Sequence, residues 1–442
     1  MANFSKSNVP QFSVDVYQNE FLPEGGREVN AIVTVTSTGG GTSRGSALSG
    51  SGADAAVVIM VDCSGSMDYP PTKMRGARDA TAAAIDALRD GTSFAVIAGT
   101  HVANEVYPGN GGLAVAGPAT RGQAKDALRR LSAGGGTAIG TWLRLADRLL
   151  GSAEVSIRHG ILLTDGRNEH ESPEDLRAAL DASAGRFTCD ARGVGTDWEV
   201  KEVTGVASAL LGTADIVADP QGLAADFTAM MENAMGKEVA DVALRLWTPV
   251  GVEIGFVKQV APTVEELTAR RTEAGPRAGD YPTGSWGDES RDYHVCVRVP
   301  QAGIGQEMLA ARVSLIVPDP LGGTPKTLGQ GLVRAVWTDD MAMSTSINPQ
   351  VAHYTGQAEL AQVIQQGLDA RKSGDHDGAT AKLGRAVQLA AASGNEGTAK
   401  LLSKVVDVVD AATGTVRLKA KVAEADEMTL ETRSTKTVRV KK

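Results

Sequence analysis

Three small oxygen donors crowd the end of one apolar run: in VVIMVDCSGSM, Asp62, Ser64 and Ser66 alternate just as the run stops. Alternate residues of an extended chain point the same way, and a tight turn at Gly65 brings one carboxylate and two hydroxyls round a single point. Hard oxygen donors of this kind suit a hard divalent cation. The carboxyl ends of strands in an open α/β sheet are also where that architecture binds ligands. The plainer alternative is that Asp62 caps a helix and the two serines are turn residues.

The elements that must hold these residues are legible in the apolar pattern. Between residues 53 and 236, AAVVIMVD, SFAVIAG, IRHGILLTD, RFTCDARGV and TADIVAD are short apolar runs separated by segments with helical spacing. That alternation predicts an α/β fold with a largely parallel, buried sheet. THVANEVYP reads as an antiparallel addition at its edge. Ser172-Pro173-Glu174-Asp175 supplies a capping hydroxyl, a proline for the first helical position and first-turn acids, so a helix is predicted to begin there.

On either side the pattern changes. From Gln11 to Thr36 apolar and polar residues alternate as in two half-buried strands, and STGGGTSRGSALSGSG (Ser37 to Gly52) reads as a Gly/Ser linker closing a segment 1–52. Alternation returns across 237–345, in DVALRLWTPVGVEIGFVKQV, DYHVCVRVP, AARVSLIVP and QGLVRAVWT. Each strand set alone leaves a face or an edge open, so the two are expected to form one β-sandwich with residues 53–236 inserted between them. Residues 346–414 favour helix and predict a hairpin or small bundle. They hold one tetratricopeptide-like helix pair without a second copy at a period of about 34 residues, which argues against a solenoid. Residues 415–442 end in MTLETRSTKTVRVKK, read as a mobile basic tail.

Asp62, Ser64 and Ser66 form a D-x-S-x-S sequence that resembles the metal-ion-dependent adhesion site of von Willebrand factor A domains. Two further elements of that family follow in the right order: the GGGTAIGT loop, with Thr137, and ILLTDGRNE, where Asp165 follows another buried strand. The resemblance spans residues 53–236 and implies a Rossmann-like α/β domain with a mostly parallel central sheet flanked by helices. It implies that Ser64, Ser66 and Thr137 ligate the metal directly, whereas Asp62 and Asp165 act mainly through bound waters. Mg²⁺, or Mn²⁺, demands near-octahedral oxygen coordination and tends to retain waters. Held by neutral hydroxyls it keeps net positive charge, so an Asp or Glu of a partner protein can replace one water. The expected function is therefore adhesion to a protein partner, with hydrolysis at the same site as the alternative.

A hydrolase would need a general base beside the ion. The six histidines, His101, His159, His170, His294, His353 and His376, form no HExxH or similar pair. His170 alone lies near the metal loops, and with Glu169 and Glu171 it is expected to be a solvated rim charge. Ser64 lacks the G-x-S-x-G elbow of a nucleophilic serine, Cys63 reads as an inward-facing small residue, and Gly134 to Gly136 lack the Gly-Lys-Ser/Thr ending of a phosphate loop. Asp375-His376-Asp377-Gly378 lacks the later acidic ligand of a calcium loop and reads as an interhelical turn. No catalytic residue is assigned.

Composition sets the remaining bounds. A net charge of -9 gives no whole-chain attraction to nucleic acid or anionic membrane. Three widely spaced cysteines suggest neither a disulfide framework nor a zinc site. No signal peptide is read at the N-terminus and no run approaches the roughly 20 apolar residues of a membrane span. A cytoplasmic scaffold or regulator in bacterial signalling is expected. In the tail, Thr429, Thr432, Thr435 and Thr437 are candidates for phosphorylation, and Thr435 with Val438 resembles a ligand for a forkhead-associated domain.

Overall fold

The alternating segment QFSVDVYQ forms strand β1 (Gln11–Gln18), followed by β2 (Phe21–Leu22) and β3 (Glu28–Thr38). β1 and β3 pair antiparallel with Val14 opposite Val35, so their apolar residues share one face. The computed structural model describes residues 10–38, 55–319 and 323–440. Ser37 and Thr38 close β3, and the rest of the expected Gly/Ser linker lies outside the described residues. The chain divides into two units, residues 41–240 and residues 1–40 together with 241–442.

In the second of these units β1 and β3 continue into a five-stranded sheet with Glu289–Arg298, Glu253–Ala261 and Glu265–Glu266. Short β2 instead joins a six-stranded sheet, pairing parallel with Lys326–Trp337 at its edge. Early and late strands thus interleave as expected in one sandwich. The two sheets pack face to face: Phe12 meets the edge of Trp286 with ring centroids 5.8 Å apart. Gly329 and Gly331 let β1 approach, since a Cβ at either would lie 2.8 or 2.5 Å from a methyl of Val14 or Val16.

Residues 41–240 hold the α/β unit. Its strands are β4 (Ala55–Asp62), β5 (Ser93–Gly99), β6 (Ala103–Tyr107), β7 (Ala114–Val115), β8 (Ile157–Thr164), β9 (Thr188–Val194) and β10 (Ala214–Val217). The order is β10-β9-β8-β4-β5-β6. β6 and β7 alone run antiparallel, both against β5. The chain moves from β4 outward to β5 and then returns to β8 on the opposite side, so the connections diverge at β4. Such a switch point opens a crevice at the carboxyl ends of the strands, here those of β4 and β8. Helices α1 (Thr72–Ala87), α2 (Pro118–Leu128), α3 (Ile139–Gly151), α4 (Pro173–Ser183), α5 (Val200–Ala209) and α6 (Leu223–Met235) complete the unit. α4 starts where Ser172 predicts, with its hydroxyl accepting from Asp175 N at 3.1 Å.

The C-terminal helices Pro349–Lys372, His376–Ser393 and Glu396–Val405 are each N-capped by a side-chain oxygen, from Asn348, Asp375 and Asn395. Asp375 is therefore a cap in an interhelical turn. Two expectations fail beyond this point. Residues 406–412 do not continue as helix: Val406–Asp410 pairs with Thr415–Leu418 in a hairpin, because VVDVVD is rich in β-branched residues and Gly414 supplies the positive φ that the turn needs. Nor do the described residues 424–440 form a mobile tail.

Glu424–Arg433 is a helix in which Thr429 and Thr432 donate to the carbonyls of Ala425 and Met428. Beyond it, Val264 N donates to Thr435 O at 2.8 Å, and Thr437 uses its N–H on Pro262 O and its hydroxyl on Val260 O. Arg439 grips Asp292 bidentately at 2.8 and 2.7 Å. Asp292 is 1% exposed and also accepts from Thr34 at 2.6 Å and from Tyr354 at 2.5 Å. The basic residue that looks solvated in sequence neutralises a buried carboxylate far away along the chain, so a domain reading these threonines would first have to detach the segment. Among the described residues no helix is long and apolar enough to cross a membrane.

Hydrogen exchange should show protected amides at Val264 and Thr437; exchange at free-peptide rates would refute the docking. Arg439→Ala should cost about 1–3 kcal/mol in urea unfolding, because Asp292 stays buried while the half-exposed guanidinium is already partly screened.

Candidate metal centre

Three loops meet at the carboxyl ends of β4 and β8. The loop after β4 is zipped to the glycine loop by two backbone hydrogen bonds, Gly134 N to Cys63 O at 2.8 Å and Gly65 N to Gly135 O at 3.0 Å. Gly135 sits at φ +80, a left-handed conformation that glycine adopts without strain. Thr137 is then fixed from the third loop, its N–H donating to His170 Nδ1 at 3.2 Å and its carbonyl accepting from His170 N at 3.0 Å. The backbone thus sets where the hydroxyls point.

The carboxylates come next. Asp62, fully buried, accepts from Ser64 N at 2.8 Å with Oδ1, and from Thr164 Oγ1 at 2.7 Å and Asp165 N at 3.3 Å with Oδ2. Burial pushes its pKa up to about 6 despite these donors. Asp165, also fully buried, accepts from Ser66 Oγ at 2.7 Å with Oδ1. Ser64 and Ser66 share a hydrogen bond of 2.9 Å. All five residues singled out in the sequence, Asp62, Ser64, Ser66, Thr137 and Asp165, therefore lie in one cluster.

Its centre can be located. A Cβ placed on Gly166 would lie 3.1 Å from Ser66 Oγ, 3.3 Å from Thr137 Oγ1 and 3.7 Å from Ser64 Oγ. The three hydroxyls surround one point beside Gly166, where a methyl group would be a tight fit. Among the described residues no three His, Cys, Asp or Glu side chains gather as a metal-binding group, so the donor set here is hydroxyl-rich, with Asp165 beside it. Neutral hydroxyls and a carboxylate are the donors that Mg²⁺ or Mn²⁺ takes. The cradle fits such an ion.

Several participants carry no signal in the sequence. Lys73, in the first turn of α1 and 6% exposed, places Nζ 2.7 Å from Asp165 Oδ2 and 3.0 Å from Asp197 Oδ2. Burial opposes its charge, but the hydrogen bonds and charges of the two aspartates outweigh that and lift its pKa above the lysine value. Thr164 and Asn168 also go unsignalled; Asn168 Oδ1 accepts from Ile139 N at 2.7 Å at the start of α3. Glu171 corrects an expectation. Rather than a solvated rim charge, it is drawn inward to accept from Gly140 N at 2.6 Å and Asn168 Nδ2 at 2.7 Å, where a carboxylate complements the positive end of a helix. Cys63 faces inward, and burial raises its thiol pKa to about 12.

Residues 55–216 match the von Willebrand factor type A domain, and residues 388–434 match the von Willebrand factor type A C-terminal domain. A solved von Willebrand factor type A protein from Catenulispora acidiphila is 52% identical, with 99% of this chain and all of that one covered, at a TM-score of 0.92. The chain belongs to the von Willebrand factor type A family. The ArnB paralog VWA2 from Sulfolobus acidocaldarius shares the fold, with 14% identity over 96% of this chain and 98% of that one and a TM-score of 0.60. Proximal thread matrix protein 1 of the mussel byssus, in a form with a zinc-occupied MIDAS motif, matches 42% of this chain and 46% of its own at 24% identity. The TM-score is 0.35. No curated protein matches.

Within this type A domain, Gly166→Ala should fill the cradle and abolish Mg²⁺ and Mn²⁺ binding in calorimetry while leaving the melting curve near wild type. Thr164→Val, which strips a hydrogen bond from Asp62, should weaken the ion by about 10- to 100-fold. Unchanged affinity in both would show that the cradle is not the metal site.

Proposed function

We propose that the cradle holds Mg²⁺, or Mn²⁺ where that ion is available, and that the loaded centre binds an Asp or Glu side chain of a partner protein. The observation that carries this reading is the convergence of Ser64, Ser66 and Thr137 hydroxyls on the space beside Gly166. These three would hold the ion directly, with Asp62 and Asp165 acting mainly through water. Bound there, the cation supplies a Lewis-acidic position that a carboxylate can enter. Asp62 accepts from the protein with both oxygens, which holds the loops, and Oδ1, with one donor, keeps a lone pair for a water on the ion. Ser66 passes its hydrogen bond to Asp165, which keeps its oxygen lone pairs turned toward the cation.

Binding rather than catalysis is favoured by the way the nearby groups are used. His170 Nδ1 accepts from Thr137 N, and the His101 ring is packed at Gly135 with Nδ1 2.8 Å from where a Cβ would stand. Glu171 serves the start of α3. Each is committed to shaping the loops, and domains of this family generally serve as interaction modules. We place the protein in the cytoplasm as a scaffold or regulator, supported by three free, buried cysteines and a bacterial relative of high identity.

Capture from a lysate of the native host on immobilised protein, with Mg²⁺ or with EDTA, tests the reading. A partner should be retained only with Mg²⁺, lost with Thr137→Ala, and lost again when one of its own surface carboxylates is replaced by an amide. Capture indifferent to both EDTA and Thr137→Ala would overturn it, as would metal-dependent turnover of a substrate with no retained partner.

A further inference from the structure

Lys73 is a cation already built against the candidate metal centre. Its ammonium touches Asp165 Oδ2 at 2.7 Å, while the other oxygen of the same carboxylate accepts from Ser66 Oγ at 2.7 Å. One carboxylate therefore lies between a fixed positive charge and the hydroxyl cradle. Burying an ammonium is costly unless it is paired, and an exposed position on α1 would involve no such cost. Lys73 is 6% exposed, whereas its second partner, Asp197, has a side chain 67% exposed and is screened by water.

The charges decide what the site can hold. Asp62 and Asp165, acting through water, offset much of a divalent charge and weaken its attraction for an anion. With Lys73 counted, and exposed Asp197 screened by water, the buried groups of the loaded centre sum to about one positive unit. We propose that Lys73 sets the selectivity of the site, weakening its hold on the cation and strengthening its hold on an incoming carboxylate. It is a positioning residue that acts through Asp165, and the inference rests on the metal reading above. Asp197 tempers it by sharing the ammonium from the solvent side.

The test measures two affinities. Mg²⁺ and Mn²⁺ are titrated into wild type, Lys73→Met and Asp197→Asn by calorimetry; acetate is then titrated into each Mn²⁺-loaded protein, with water-proton relaxation reporting displacement of metal-bound water. Lys73→Met should bind either ion about tenfold or more tighter and acetate about tenfold or more weaker, the scale expected for removing a buried unit charge a few ångströms away. Asp197→Asn should shift both affinities the opposite way, by a smaller factor because Asp197 is exposed. A folded Lys73→Met that loses both affinities, or keeps both, overturns the inference. If that variant does not fold, Asp197→Asn decides, and two unchanged affinities overturn it. Wild type that binds neither ion removes the metal reading together with this one; wild type that binds, with variants that do not shift the two affinities in opposite directions, removes the Lys73 role alone.

Discussion

A carboxylate buried at the end of a central strand must find donors, and the way Asp62 finds them organises the α/β unit. One oxygen takes the N–H of Ser64 and so bends the chain sharply out of β4; the other takes Thr164 and the N–H of Asp165 at the end of β8. The same three contacts that satisfy the charge fix two neighbouring loops at a common height. Unpaired, such a group would carry a desolvation cost of several kcal/mol. It is still strained electrostatically, since burial leaves its pKa near 6, and a cation beside it would relieve that. Fold and site share one constraint.

The glycine loop is subordinate to this arrangement. It brings Thr137 to the two serines only because Gly134 and Gly135 hydrogen-bond to the backbone on either side of Ser64. Asn168 and Glu171 then use the free N–H groups at the start of α3, which hold that helix behind Thr137. Loops carrying binding residues work when a rigid scaffold positions them. Here the scaffold is the parallel sheet, and the fastening is backbone to backbone.

Much of this was legible in the sequence, for physical reasons that vary by region. Buried parallel strands must be continuously apolar, so AAVVIMVD and IRHGILLTD announced themselves, and the adjacent oxygen donors followed from their place at strand ends. Interleaved strands in the sandwich were foreseeable because half-buried strands alternate. Lys73 was not legible: lysines in the first turn of a helix are usually solvated, and nothing local tells that one is turned onto Asp165. Glu171 was misread for the same reason. The hairpin at 406–418 lay in β-branched residues that the surrounding helical composition masked. Arg439 pairs with a residue 147 positions away, and no local pattern encodes a contact of that range.

Two buried aspartates show what sets the centre at Asp165 apart. Asp292 in the sandwich is surrounded by donors from its own chain: Thr34, Tyr354 and two nitrogens of Arg439 saturate its oxygens, and its charge is cancelled by a guanidinium that cannot be deprotonated. Such a pair ties the C-terminal segment to the sandwich, and a cavity of about 400 Å³ lies beside it. Asp165 is bonded by one hydroxyl and one ammonium, and two further hydroxyls, of Ser64 and Thr137, stand round the same small space. Hydroxyls can accept as well as donate, whereas ammonium and guanidinium groups only donate. The sandwich carboxylate takes four donors on its two oxygens, whereas the one in the α/β unit takes two and stands beside two hydroxyls that are not bonded to it and can turn lone pairs toward a cation. That spare acceptor capacity, more than the presence of buried charge, marks a binding centre in this protein.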